Sequence, residues 1–543
     1  YTYPFHNSHL GKSYRSGADP AVVEFRGEYY MFVTRSWGYW HSKDLLNWDF
    51  ITPEKWYFEG CNAPAAHNYK DSILYVCGNP SGAMSILYTD NPKRGDWKAV
   101  PSVLHDLQDP ALFIDDDERA YMYWGSSNRW PIRGKELDMK NKFLPIAKKP
   151  DSLLFLRPDI HGWERFGENH TSDIKPFIEG AWMTKHNGKY YLQYAAPGTQ
   201  FNVYGDGVYV GKSPLGPFQY AAHNPFCYKP GGFATGAGHG STVCGPGGIY
   251  WHFGTIHLSI NYKFERRLCM FPTFFDEDGV MYSDTYFGDY PHYSPDQVSR
   301  QTTSGGFRGW MLLSYGKPVK ASSQLESYPV ENVTDENLKT FWVAGKNDDK
   351  QWVEIDLEEV SDVYALQLNF FDYEETGFWG RMPNLRQRYL VEASVDGARW
   401  RVLVDYRNSF RDAPHNYIEL DQPIEARYIR YRHHYVPGKN LAMGNIRVFG
   451  LGRGKKPATV KGFTVVREAD ERNVRISWKA VKGAQGYNVL WGVAPDKLYS
   501  SWMVYGDNSL DLRALTVGQK YYFAIEAFNE NGISQRVFLR EAH

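Results

Sequence analysis

Five segments of this chain repeat one pattern, and a repeat restricts the fold more than any bulk property does. They read EYYMF (28–32), SILYV (72–76), RAYMYW (119–124), KYYLQY (189–194) and GIYWHF (248–253). Each is a β-branched or aromatic run entered from a turn residue: Gly27, Asp71, Asp117, Gly188 or Gly247. A strand leaving a tight hairpin has this signature. With the segments aligned on Tyr30, Leu74, Tyr121, Tyr191 and Tyr250, the positions eleven or twelve residues upstream are Asp19, Ala63, Asp109, Glu179 and His239. Three of these precede a proline: Pro20, Pro64 and Pro110. Five strand–turn–strand units of roughly 45–70 residues predict five blades of a β-propeller. One position in each blade faces the central channel of such a fold. Two aspartates, a glutamate and a histidine are therefore expected to meet there, although 220 positions separate Asp19 from His239.

The chain is 543 residues long, too many for one ordinary core. The propeller pattern ends near SRQTTSGGFRG (299–309), a Ser/Thr/Gly-rich connection. Alternating runs between turns follow: QWVEIDLEEVSDVYALQLNFF, RYLVEASVDGARWRVL, ARYIRYRHH and NIRVFG. They predict a β-sandwich. After the basic linker LGRGKKPATV (451–460), NVRISWKAV, GYNVLWGV and KYYFAIEAFNENG carry the strand rhythm of an immunoglobulin-like sandwich without its cysteines. The expected fold is all-β: a propeller over 1–308, then sandwiches over 309–452 and 458–543.

The net charge of −1 supplies no field for nucleic acid or an anionic membrane. No apolar run is long enough to span a bilayer. Five cysteines (61, 77, 227, 244, 269) form no C-x-x-C and no zinc spacing, and are expected as free thiols with one disulfide left open. Aromatics make up 16% of the chain, enough to furnish sugar-stacking faces besides strand packing.

ADPAVVEFRGEYYMFV, LQDPALFIDDDERAYMYWG, IEGAWMTKHNGKYYLQYAAPG and GAGHGSTVCGPGGIYWHFG, in that order, resemble glycoside hydrolase family 43. The resemblance covers about residues 1–300 and implies an inverting glycosidase on a five-bladed propeller. Inversion requires one carboxylic acid to protonate the leaving oxygen and one carboxylate to activate water on the opposite face, about 6.5–9.5 Å away. By the resemblance, Asp19 matches the base, Glu179 the acid, and Asp109 the third carboxylate that raises and orients the acid. His239 matches a histidine on the channel axis, which in the family is often a ligand of calcium or water. Blade two departs from the family: CNAPAAHNY has Asn62 where a tryptophan is usual and Ala65 where an aspartate is. Trp37 and Arg267 match positions that can reach the sugar, with core packing and a solvated surface as their respective alternatives. The run DDDE (115–118) reads as a hairpin turn.

The second region resembles the discoidin, or coagulation factor 5/8 C-terminal, fold through VTDENLKTFW. Related modules often hold a structural calcium near Asp335 and Thr340, but Asn445 stands where a late acidic residue is usual. EETGFWG (374–380) is a loop that binds sugar or packs on the propeller. The last region resembles fibronectin type III, normally a spacer. The expectation is an exo-glycosidase trimming plant cell-wall polysaccharide side chains, with α-L-arabinofuranosidase first, β-xylosidase or β-galactosidase second, and a non-catalytic glycan-binding propeller as the other class. No cofactor is expected for the chemistry, and a mature periplasmic or extracellular protein is the expected setting.

Overall fold

The computed structural model describes residues 3–7, 12–36, 38–53, 61–79, 83–101, 104–105, 107–147, 149–258, 264–299, 303–371, 373–374 and 385–540. Among them the regular structure is strand, with short 3-10 turns and no α-helix. Among the described residues no helix is long and apolar enough to cross a membrane.

The five predicted anchors each lie on the second strand of a four-stranded antiparallel ladder. Blade one runs through Ala21–Phe25, Glu28–Phe32, Tyr39–Ser42 and Trp48–Ile51, blade two through Asn62–Tyr69, Ile73–Asn79, Leu87–Thr89 and Lys98–Ala99. Blade three is Ala111–Ile114, Ala120–Trp124, Ile132–Asp138 and Leu144–Pro145, with Asp151–Leu154 as an added partner of the third strand. Glu179–His186 opens blade four, continued by Lys189–Ala196, Gly205–Gly211 and Phe218–Tyr220. Blade five is Gly238–Cys244, Tyr250–His257, Arg266–Phe275 and Met281–Ser283. The aromatic anchors explain why these runs become strands. Phe32, Tyr39 and Trp97 pack as a ring cluster between blades one and two, and flat aromatic faces suit the ≈10 Å gap between packed sheets. DDDE is a turn, as expected, joining Ala111–Ile114 to Ala120–Trp124. It also ties blades, because Asp115 accepts from Lys185 and from the Tyr190 hydroxyl at 2.5 Å each.

The second region wraps eight strands around one core of Val353, Ile355, Leu366, Val391, Ile429 and Val448. Its two longest strands, Trp352–Phe370 and His415–Tyr435, bend where their pairing register shifts between Asp356 and Ser361 and between Val363 and Ala365. In the third region a sheet of Lys461–Arg467, Val474–Lys479 and Ser509–Leu512 accompanies a second built on Gly486–Gly492 and Tyr522–Asn529.

This last sandwich is no spacer. Its Trp478, Trp491 and Phe523 share one continuous core with Trp163 and Tyr194 of the propeller. Tyr499 stacks on Tyr282 at 3.7 Å, and Arg165 donates to Asn473 Oδ1 at 2.5 Å. The linker is fastened too: Gly452 N–H donates to the Glu530 carbonyl at 2.9 Å. All three regions meet where Tyr286, Phe287 and Tyr290 pack on Leu312, Phe449, Met503 and Phe528. Beside them Arg447, fully buried, grips Glu336 at 2.6 and 3.1 Å and donates to the Asp289 carbonyl at 2.6 Å. Breaking a buried pair of this kind costs about 3–5 kcal/mol, because one charge is left without its partner. None of the five cysteines is disulfide-bonded, and Cys244 is the exposed one.

Candidate active site

The positions upstream of the anchors share a backbone feature that no sequence alignment displays. Asp19, Ala63, Asp109 and His239 have φ of +54°, +43°, +49° and +47°, and in blade four the next residue, Gly180, has +65°. The left-handed turn re-aims the chain as each innermost strand begins. In three blades the pairing register also slips there, between Asn62 and Ala65, Glu179 and Trp182, and Gly238 and Ser241. Such φ values cost a non-glycine residue about 1–3 kcal/mol, and residues bearing them cluster at functional sites. Gly180 is required on a second ground: a Cβ there would lie 2.9–3.0 Å from His239 Cγ and Cα.

The turns bring Asp19, Asp109, Glu179 and His239 to one cavity of about 470 Å³, lined also by Thr34, Arg35, Asn62, Ser126, Phe264 and Arg266. His239 Nδ1 lies 3.4 Å from Asp19 Oδ1 and 3.8 Å from Asp109 Oδ2. The ring is set by its backbone, since His239 and Gly240 N–H donate to the fully buried Asp206 at 2.8 and 3.0 Å. Asp19 accepts from Thr34 Oγ1 at 2.5 Å and from Arg266 Nη1 at 3.3 Å. Glu179 accepts from the Tyr204 hydroxyl at 2.5 Å and from Ser126 Oγ at 3.0 Å.

These neighbours separate the carboxyls chemically. Burial works against charge on Asp19, but Arg266, His239 and the Thr34 hydroxyl outweigh it and hold the group below its ordinary value. Asp109 goes the other way. Burial, with the charges of Glu179 and Asp19, pushes it up to about 7 against the pull of His239. Burial opposes charge on His239 as well, yet Asp19, Asp109, Glu179 and Asp206 together raise its proton affinity. Asp109 and Glu179 offer oxygens within 4.8 Å of each other. Asp109, expected beside Glu179, is itself raised by burial.

One expectation changes at the edge of the site. Arg267 does not line the cavity; Arg266 does. Neighbours on a strand face opposite sides, and Arg267 turns away to donate from Nε to His415 Nε2 at 2.9 Å. Asn62 is present, with Oδ1 accepting from Arg35 Nε at 3.1 Å. Trp37 and most of the loop 374–380, namely 375–380, lie outside the described residues.

The hydroxyls that orient the carboxylates were missed, though the repeat contains them. Thr34, Ser126 and Thr255 stand four or five residues beyond the anchors Tyr30, Tyr121 and Tyr250. Thr34 and Ser126 serve Asp19 and Glu179, and Thr255 Oγ1 accepts from the Asp19 N–H at 2.9 Å. Tyr204 had no such signal.

Neither place suggested for calcium suits that ion. At the axis the donor set is one imidazole with raised proton affinity and two carboxyls, whereas calcium takes six to eight oxygens. In the second region, Asn445 Oδ1 is occupied by the Glu336 N–H at 2.7 Å, which turns its NH2 group inward. That group donates to Asp335 Oδ1, the Asn337 carbonyl and the Asn332 carbonyl at 3.1, 3.2 and 3.3 Å. An amide thus fills the oxygen cage. Calcium or EDTA should leave the melting temperature of the protein unchanged, whereas Asn445→Asp should make it rise with added calcium. A calcium-dependent rise in the unsubstituted protein would overturn this account.

A propeller axis that sets Asp19, held below its ordinary value, beside Asp109, raised by burial, and Glu179 is equipment for splitting a bond with activated water. Residues 14–281 match the model for glycosyl hydrolases family 43, and residues 318–443 that for the F5/8 type C domain. The chain thus carries a family 43 glycosyl hydrolase domain followed by a discoidin-like domain. It is similar to a β-xylosidase from Xylanibacter ruminicola, 33% identical over 133 residues, which are 21% of this chain and 39% of that protein. An arabinoxylan arabinofuranohydrolase from Bacillus subtilis (strain 168) is 30% identical over 189 residues, 31% of this chain and 34% of that one. The chain thus spans less than half the length of these curated relatives. The crystal structure of a thermostable family-43 glycoside hydrolase is 22% identical, with 52% of this chain and 97% of that one covered at a TM-score of 0.43.

Proposed function

We propose that this protein is an inverting exo-glycosidase that removes terminal sugars from plant cell-wall polysaccharide side chains, with α-L-arabinofuranosides as its first substrates. The observation that carries the reading is the divided chemistry of one cavity: Asp19 is held below its ordinary value, Asp109 is pushed up to about 7 by burial, and Glu179 stands beside them. Asp19 takes a proton from water. Glu179, oriented by Tyr204 and Ser126, protonates the leaving oxygen. Arg266 and His239 keep Asp19 charged, and the side chains of the cavity supply every role without a cofactor. The name of the Xylanibacter ruminicola relative favours a second reading, β-xylosidase activity. Polymeric substrates of this kind agree with work outside the cytoplasm, and we read the last sandwich as fibronectin type III-like.

Hydrolysis of 4-nitrophenyl α-L-arabinofuranoside, β-D-xyloside and β-D-galactoside tests the reading. The arabinofuranoside should be cleaved fastest, and proton NMR should show the inverted anomer before mutarotation. Cleavage of none, together with binding of a polysaccharide, would identify a glycan-binding propeller instead.

A further inference from the structure

The corrected position of Arg267 opens a path between the second domain and the catalytic cavity. Arg267 is buried, 7% exposed, at the junction of propeller and discoidin-like domain. Its guanidinium lies with Nη2 3.7 Å from the buried Glu265 Oε1, and its other nitrogens are directed too. Nε donates to His415 Nε2 at 2.9 Å, and Nη1 donates to the carbonyl of Arg266 at 3.0 Å. That carbonyl also accepts the N–H of Gly17 at 2.9 Å, two residues ahead of Asp19. The side chain of Arg266 meanwhile lies on Asp19 Oδ1 at 3.3 Å. One peptide unit therefore holds both the backbone leading to Asp19 and the cation that keeps Asp19 charged.

The far end of the path is equally determined. Asn369 Nδ2 donates to the Asn445 carbonyl at 2.8 Å, which orients the Asn369 amide. Its Oδ1 then faces His415 Nδ1 at 2.9 Å. The proton of His415 sits on Nδ1, and Nε2 presents a lone pair to Arg267. Asn369 is 2% exposed and Asn445 1% exposed, so the relay starts inside the core of the second domain.

We infer that His415, in the discoidin-like domain, is a positioning residue for the propeller's reaction: through Arg267 it fixes the peptide that places Asp19 and Arg266. This rests on the reading of Asp19 as the base. Misplacement of a reacting group by about 1 Å costs up to about 100-fold in rate, so a small relaxation of this peptide is enough to register. A side chain that merely fills the junction would not affect turnover selectively.

The test uses the full chain with His415→Leu, His415→Gln and Arg267→Lys, on whichever aryl glycoside the unsubstituted protein cleaves. His415→Leu removes the acceptor. It should lower kcat by about tenfold while KM stays within about twofold, and it should speed hydrogen–deuterium exchange in the peptide containing Gly17. In His415→Gln an amide oxygen can still accept from Arg267 Nε, so most of both effects should be recovered. Arg267→Lys should resemble His415→Leu, and it carries the test should the leucine variant fail to fold. Unchanged exchange at Gly17 with unchanged kcat would overturn the inference, as would a glutamine variant no better than leucine. A protein that cleaves no glycoside would sink the functional reading alone, because exchange at Gly17 reports on the relay without turnover.

Discussion

Asp19→Asn should lower kcat by about 10²- to 10⁴-fold, and equally on good and poor leaving groups. An amide cannot take a proton from water, whatever departs on the other side of the sugar. The shape of the residue is kept, and an asparagine tolerates the φ of +54° at this position as well as aspartate does. The loss should therefore appear without a comparable loss of melting temperature. Arg266 and His239 would then face a neutral group where they now face Asp19 Oδ1 at 3.3 and 3.4 Å. Activity within about threefold of the unsubstituted protein would end the assignment of Asp19 as base.

Glu179→Gln should produce a loss that depends on the leaving group. Alkyl glycosides should lose about 10²- to 10⁴-fold, and 4-nitrophenyl glycosides far less, since an activated phenolate departs with little help. Glutamine can still accept from Tyr204, so the surroundings of the missing acid persist. In the unsubstituted protein the alkaline limb of kcat against pH should fall near pH 7, where Asp109, raised by burial, gives up its proton beside Glu179. The direction follows from which state is needed: the proton is present below that pH and lost above it. A Glu179→Gln variant equally impaired on all leaving groups would remove Glu179 from the role of proton donor.

The sequence made the propeller and its axis legible because both are periodic. Aromatic runs at five anchors mark five second strands, and a constant upstream offset leads to Asp19, Asp109, Glu179 and His239. Strand parity decides between Arg266 and Arg267. It could have been counted from Tyr250, because Arg266 pairs with His257, but a register slip near a cavity shifts such a count and two adjacent arginines look alike. Tyr204 lies in a connection with no repeat to anchor it. Asn445 was noticed as a departure, but only its amide orientation, fixed by the Glu336 N–H, shows that it fills the cage. The role of the last sandwich was misjudged because strand rhythm reports a domain's own core. It is silent about outer residues such as Tyr499 and Asn473, which hold the propeller.

The left-handed φ of Ala63 has a consequence of its own. Blade two makes the same inward turn as blades one, three and five, yet delivers a single methyl group where the others deliver a carboxylate or an imidazole. The turn is a socket built into the scaffold, and in this blade it stands vacant. Aspartate and asparagine fit left-handed backbone better than alanine does, so a new polar group enters there with less strain than the present residue carries. Beside it Asn62 and Arg35 already border the cavity, joined at 3.1 Å. The chemistry of the cavity can diverge at this one blade while the other four keep the reacting groups in place.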